Sequence, residues 1–174
     1  MAVEIVVIRA QTPTDGSTVS YESAGFGTPD AAIIRWRRNV NSFQMFSEGF
    51  FDGTSEGFSS IRLLSGSTTT DTDRISNTSG VAGQGTQEVA TATGWATNGI
   101  ILNWADGAVT SVGEIEITLI KGVTNAKVGA FQGTGSSTDV TSVGFKPDLV
   151  FMNSTGNSGL TTGTQAIFSS GVAH

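Results

Sequence analysis

The sequence predicts an all-β protein, a jelly-roll-like antiparallel β-sandwich followed by the start of a second, similar unit. Short runs of β-branched and aromatic residues recur between clusters of Gly, Ser, Thr, Asn and Asp, the pattern of a sandwich or barrel. With 23 glycines and only 14% charged residues, the composition favours ordered β structure over disorder. A phrase that begins "AGFGTPDAAIIRW" at Ala24 returns as "VGFKPDLVFMN" at Val143, which indicates an internal repeat.

The first unit is expected to cover residues 1–122 and to contain eight strands. They are placed at residues 3–10, 17–23, 31–37, 43–50, 57–64, 86–93, 99–104 and 113–121. The segment "EIEITLI" alternates cleanly, so one of its faces should lie in the core and the other in solvent. The predicted core residues of this strand are Ile115, Ile117 and Leu119. The long polar tract at residues 65–85 is predicted to be a surface loop between the two halves of the sandwich.

The second unit is expected to cover residues 125–174, with strands near residues 126–132, 138–143, 149–153 and 165–169. Two of the chain's three prolines fall at matched positions of the two copies. Pro fixes φ and lacks a donor, which suits the first position of a strand, while Gly permits the preceding corner. Phe26 and Phe145 are therefore expected to be buried anchors of equivalent turns.

The second copy matches the first only as far as "AIFSSG", so the closing strands of the first unit have no counterpart before His174. Unpaired strand edges and an uncovered apolar face are then expected. The residues predicted to be exposed are Val140, Leu149, Phe151 and Phe168. Either the gene product continues beyond His174, or the first unit or a neighbouring subunit supplies the missing strands. Completion by the first unit or by a neighbouring subunit makes residues 125–174 a β-rich assembly arm, and completion by other protein is favoured.

Residue types that carry most enzyme chemistry are scarce. There is no cysteine, and the single histidine is His174, so thiol catalysis, His-based triads and multi-histidine zinc sites are not expected. A net charge of −6 disfavours nucleic acid as a partner. No run approaches the ~18 apolar residues of a membrane helix. We therefore predict a protein that is not an enzyme, without cofactor, metal or catalytic residues, and with no membrane contact.

Five acidic residues are candidates for catalysis or metal binding. Glu48, Asp52 and Glu56 are spaced four apart in "EGFFDGTSEGF", but glycoside hydrolysis needs two carboxylates facing each other across a cleft, and a solvated turn is favoured instead. Asp71 and Asp73 can supply oxygen ligands to Ca²⁺. Their surroundings lack the glycine and distal glutamate of an EF-hand loop, so a calcium site there is left open.

The only basic cluster is "RWRR", which comprises Arg35, Trp36, Arg37 and Arg38. Strand alternation places Arg35 and Arg37 on one face and the other two residues on the opposite face. Arg and Trp are enriched in interface hot spots, which favours a contact with another protein. An ordinary strand end with solvated charges is the equal alternative.

Two tryptophans raise a different class of function, because aromatic platforms on β-sandwiches bind sugars. Alternation in "GIILNW" places Ile100, Leu102 and Trp104 on one face, so Trp104 is assigned to the core. Trp95, between Gly94 and Ala96, is kept as a candidate glycan platform.

The phrases "GF.PD", "GWATNGIILNWADG" and "EIEITLIKG" resemble a β-sandwich repeat of virion proteins from tailed bacteriophages and prophages. The resemblance implies a structural protein assembled in the bacterial cytoplasm and located in the virion. A capsid decoration or cement protein is favoured, homo-oligomeric and bound to other virion proteins such as the major capsid protein. The alternatives are a tail fibre or baseplate adhesin, or a carbohydrate-binding module, that recognises a host glycan.

Overall fold

The computed structural model describes residues 2–13, 16–40, 43–64, 80–84, 88–105, 112–129, 143–155 and 168–173. Regular structure in these ranges is entirely β-strand, and they include no helix that could span a membrane. The strands are β1 (Glu4–Gln11), β2 (Thr18–Glu22), β3 (Ala31–Val40), β4 (Phe43–Phe51), β5 (Glu56–Leu64), β6 (Ala82–Gln84), β7 (Glu88–Ala96), β8 (Gly99–Trp104), β9 (Glu114–Lys121), β10 (Val150–Thr155) and β11 (Phe168–Ala173).

The strands form two stacked antiparallel sheets and a separate hairpin. The five-stranded sheet has the order β1-β9-β3-β4-β5, and the four-stranded sheet has the order β2-β8-β7-β6. The first strand pairs with the ninth and the second with the eighth, the nested order of a jelly roll. Meanders β3-β4-β5 and β6-β7-β8 complete the sheets. The predicted all-β sandwich is confirmed.

The core lies between the two sheets, where alternate residues of each strand point inward. Ile115, Ile117 and Leu119 of β9 are buried, as predicted. They pack in one cluster with the inward residues of β8, which are Ile100, Leu102 and Trp104. Burying an aliphatic side chain of this size contributes roughly 1.5–3 kcal/mol, so the alternation of these two strands supplies much of the driving force for stacking the sheets.

The described end of the polar tract, residues 80–84, belongs to the sandwich and corrects the prediction of a surface loop. Val81 and Ala82 are fully buried, and β6 forms the edge of the four-stranded sheet. The segment crosses directly over β4, where a Cβ on Gly49 would lie 2.0 Å from the Val81 carbonyl oxygen. Only glycine fits beneath it. Residues 65–79, including Asp71 and Asp73, lie outside the described residues.

The two "GF.PD" corners share a backbone conformation. Gly25 and Gly144 both have φ of 82°, a left-handed conformation that favours glycine. Phe26 is buried, as predicted, but Phe145 is only partly buried, so the second anchor is corrected. Each corner leads into the first strand of a hairpin, β3 after Asp30 and β10 after the second Pro-Asp pair.

The two hairpins also share a register. When the chain is aligned on the two Pro-Asp pairs, Ile34 corresponds to Met152, and Ile34 lies opposite Gly49 as Met152 lies opposite Gly171. The neighbouring pairs match in the same way. The first part of the second unit departs from expectation, because residues 126–129 and Val143 are not in strands. The remainder of the predicted strands 126–132 and 138–143 lies outside the described residues.

Candidate protein-contact surfaces

A row of alternating charges crosses the outer face of the five-stranded sheet. Cross-strand register aligns Arg9, Glu116, Arg35 and Glu48 on four neighbouring strands. Arg9 Nε lies 2.9 Å from Glu116 Oε2, Arg35 Nη1 lies 3.4 Å from Glu116 Oε1, and Arg35 Nε lies 2.7 Å from Glu48 Oε2. Each cation therefore faces a carboxylate, the arrangement that favours cross-strand pairing.

The row shifts the pKa values of Glu116 and Arg35 in the direction that keeps these two groups charged. A hydrogen bond from Arg9, with a second from Arg35, lowers the pKa of Glu116. The hydrogen bond to Glu48 raises the pKa of Arg35, against an opposing effect of partial burial. One row further along, Arg37 Nε donates to Glu114 Oε2 at 2.6 Å in an exposed pair. Exposed pairs of this kind contribute roughly 0–1 kcal/mol.

The structure divides the basic cluster along the predicted alternation and places two of its four residues in the interior. Trp36 is 1% exposed and Arg38 is 4% exposed, so both lie inside the sandwich and cannot meet a partner from the surface. Arg35 and Arg37 face outward, and both are paired with glutamates of the same sheet. This geometry favours the alternative interpretation, an ordinary charged sheet face. A protein contact through these two arginines stays a prediction.

The three spaced carboxylates each bind the protein itself, which corrects the prediction of a solvated turn. Glu48 is buried and accepts from Arg35. Asp52 accepts the backbone N–H groups of Thr54 at 2.9 Å and Ser55 at 2.6 Å through Oδ1, and its Oδ2 accepts Val128 N–H at 2.7 Å. Asp52 thus closes the β4–β5 turn and fixes the segment that leads out of the first unit.

Glu56, at the start of β5, binds β7 and the segment that leads into β6. Its Oε2 accepts the backbone N–H of Ala92 at 2.7 Å, and its carboxylate also accepts that of Gly80. Burial raises the pKa of Glu56, and the two hydrogen bonds oppose the rise. The Glu56 carboxylate therefore links the two sheets by hydrogen bonds.

Trp95 is partly buried at the rim of the core. Its ring centroid lies 4.7 Å from that of Phe51 at an interplanar angle of 58°. On another side the indole approaches Gly53, where an added Cβ would lie 2.7 Å from Nε1. Trp95 therefore packs against the β4–β5 turn rather than standing free on the surface, and a glycan platform there stays a prediction.

An exposed apolar strip runs along β1, the edge strand of the five-stranded sheet. Its residues, which we call the β1 strip, are Val3 at 57%, Ile5 at 63% and Val7 at 48% exposure. The pattern of β1 shows why they are exposed, since the alternate residues Val6 and Ile8 turn toward the core. Sequence analysis did not predict the β1 strip. The pattern that could have indicated it is the apolar run of β1, which occupies both odd and even positions and so places apolar side chains on both faces of the strand.

The second exposed apolar surface is the β10–β11 hairpin with the residue before it, which we call the second hairpin. Leu149 is 52%, Phe151 38% and Met152 40% exposed. Phe151 and Met152 are consecutive and point to opposite faces, so each face of β10 carries an exposed apolar side chain. The predicted exposure of Leu149 and Phe151 is confirmed, whereas Val140 and the side chain of Phe168 lie outside what the structure describes.

Chemistry-bearing groups are dispersed over the described parts of the chain. Within those ranges, no three His, Cys, Asp or Glu side chains are grouped as the ligands of a metal ion. The two apolar surfaces are exposed features of the described residues that are suited to contact with another molecule. Comparison of the chain with protein-family models, with curated proteins and with solved structures finds no match.

Proposed function

We propose that this protein is a structural component of a phage virion that acts by binding other proteins, in particular a decoration protein on the capsid. The observation that supports a binding role best is the pair of exposed apolar strand surfaces, the β1 strip and the second hairpin. Assignment to a virion rests on the resemblance of the repeated "GF.PD" corner and of the closing strands to phage virion proteins.

The β1 strip has the properties of a pairing edge. Natural edge strands are protected by Lys, Pro, a bulge or a covering element. β1 runs for eight residues in an unbroken ladder with β9 and contains neither Lys nor Pro. Its single cation, Arg9, is paired with Glu116. Backbone groups on the outer side of β1 and the strip beside them are suited to a strand of another protein.

Sedimentation with particles of the encoding phage tests this function. We expect the purified chain to co-sediment with heads and not with tails, and Ile5→Lys/Val7→Lys to abolish the association while the circular dichroism spectrum is kept. The matched control is Ser20→Lys/Glu22→Lys on β2, the exposed edge strand of the other sheet. Failure to bind heads contradicts a decoration role, and specific binding on a glycan array supports the adhesin alternative in its place.

A further inference from the structure

We infer that the second hairpin is a strand-acceptor site: the open edge of β10 takes a β-strand of another polypeptide that has the alternation of β9 and ends in Lys-Gly. This inference does not depend on the virion assignment, because it follows from the correspondence between the two hairpins. The first unit shows a hairpin of this kind with a further strand beside it, whereas the second hairpin has no further strand paired with it among the described residues.

In the first unit, β9 lies against the edge of β3 that β4 leaves open. The antiparallel register places Ile117 opposite Ile34 and Leu119 opposite Ala32, so apolar residues of β9 continue the buried row of β3. Asp30 N–H donates to the Ile120 carbonyl at 2.8 Å, which extends the pairing into the corner. β9 therefore covers this edge of β3 from Ala31 to Arg37.

The corner before β3 also binds the end of β9. Lys121 Nζ donates to the Phe26 carbonyl oxygen at 2.7 Å and lies 5.6 Å from the centre of the Phe26 ring. Asp30 Oδ2 accepts the N–H groups of Gly122 at 2.7 Å and Val123 at 3.1 Å. Gly122 has φ of 88°, a conformation that favours glycine. A cation followed by a glycine is thus the chemistry that the corner recognises.

The second corner carries the same groups, and no described residue is bound to its carboxylate. Asp148, the counterpart of Asp30, is exposed and has no hydrogen bond or ion pair among the described residues. Phe145, the counterpart of Phe26, is partly uncovered. A negative carboxylate and a phenyl ring next to an open strand edge are complementary to a strand that ends in a cation.

Side-chain exposure agrees with an absent strand. Ile33 and Ile34 are 6% and 0% exposed in the first hairpin, whereas their counterparts Phe151 and Met152 are 38% and 40% exposed. Among the described residues β10 has a ladder partner on one side only, β11. β10 approaches β5 without forming a ladder with it. By analogy with β9, the incoming strand would place apolar residues opposite Val150 and Met152.

A strand from the chain itself can serve as the probe for this site. Residues 113–122 comprise β9 and the glycines that flank it, the segment that binds β3 and the first corner. We would attach this ten-residue sequence after His174 through a Gly/Ser linker of about 15 residues, which spans roughly 20 Å, the length of a six-residue strand. Tethering raises the effective concentration, so a weak site is still occupied. Controls carry a scrambled strand, or Glu in place of the lysine that copies Lys121.

The readout is amide hydrogen exchange over residues 150–155, measured by mass spectrometry. We expect the tethered strand to slow this exchange at least about tenfold, both control strands to have no effect, and Asp148→Asn to reverse most of the protection. Exchange over residues 31–40 should stay unchanged, which shows that the added strand has not replaced β9. The inference would be overturned if the tethered strand gave no protection, or if the scrambled strand protected equally well. It would also be overturned if residues 150–155 were already protected in the parent protein because β5 fills the edge.

Discussion

Ile34 and Met152 occupy the same position in two copies of one hairpin, each opposite a glycine, yet Ile34 is fully buried and Met152 is 40% exposed. The difference lies in their neighbours, since β3 has β9 beside it and the four-stranded sheet above it. The same hairpin therefore forms twice, and among the described residues only the first copy is covered by further strands. The exposed second copy is the basis of the proposed binding role, and equivalent residues of the two copies can be mutated as matched pairs.

Phe26→Ala should destabilise the protein by ~3–5 kcal/mol, because the ring is a buried anchor beneath the Lys121 ammonium group. Phe145→Ala removes a ring that is only partly buried and should cost clearly less. Urea denaturation followed by tryptophan fluorescence measures both. A loss below about 1 kcal/mol for Phe26→Ala, typical of surface positions, would disprove its role as an anchor.

Asp30→Ala and Asp148→Ala should differ in effect although both residues follow a Pro in the same corner. Removing Asp30 leaves the N–H groups of Gly122 and Val123 without their acceptor, and we expect a loss of about 1–3 kcal/mol. Removing the exposed Asp148 should change stability by less than about 0.5 kcal/mol in the isolated protein. Equal losses in denaturant titrations would show that Asp148 already has a structural partner.

Glu56 should make stability fall as pH rises through its titration. Burial raises its folded-state pKa above the ordinary value of 4.5, so the folded state binds the proton more tightly than the unfolded state. The resulting stabilisation is fully present below pH 4.5 and is lost as pH rises through the folded-state pKa. Glu56→Gln should flatten this part of the profile in denaturant titrations. An unchanged slope would contradict the assignment.

Gly49→Ala should be among the most damaging single-methyl changes, because the added carbon would lie 2.0 Å from the Val81 carbonyl oxygen, a backbone atom that cannot turn aside. We expect a loss of roughly 1–3 kcal/mol or more. Gly129→Ala is the control, since an added Cβ there meets nothing within 4 Å. If the two variants melt at the same temperature, β6 does not cross β4 as described.

The strands that the sequence predicts well are those with strict alternation. β8 and β9 carry a large apolar side chain at every second position, from Ile100 to Trp104 and from Ile115 to Leu119, and their predicted core faces and bounds agree with the structure to within one residue. β6 was missed because "AGQ" lacks β-branched and aromatic residues, and its burial depends on the glycine beneath it in β4. Composition alone therefore does not reveal such a segment.

The contacts of the surface charges could not be predicted from the sequence. Arg9 and Glu116 meet through the pairing of β1 with β9, across more than a hundred residues, and local patterns contain no information on that register. Alternation separated Arg35 from Trp36 correctly but did not say that Arg38 would be buried. For the second hairpin, in contrast, the sequence did predict the surface, because the incomplete repeat indicated that Leu149 and Phe151 would be exposed.

The most direct test of a binding role is hydrogen exchange of the whole chain, alone and in complex with phage heads. We predict slower exchange on binding in β1 and β10, which carry the exposed apolar residues, and unchanged exchange in β2, the edge strand with polar exposed residues. Protection confined to β2, or a bound chain whose β1 and β10 exchange as fast as in the free protein, would contradict it.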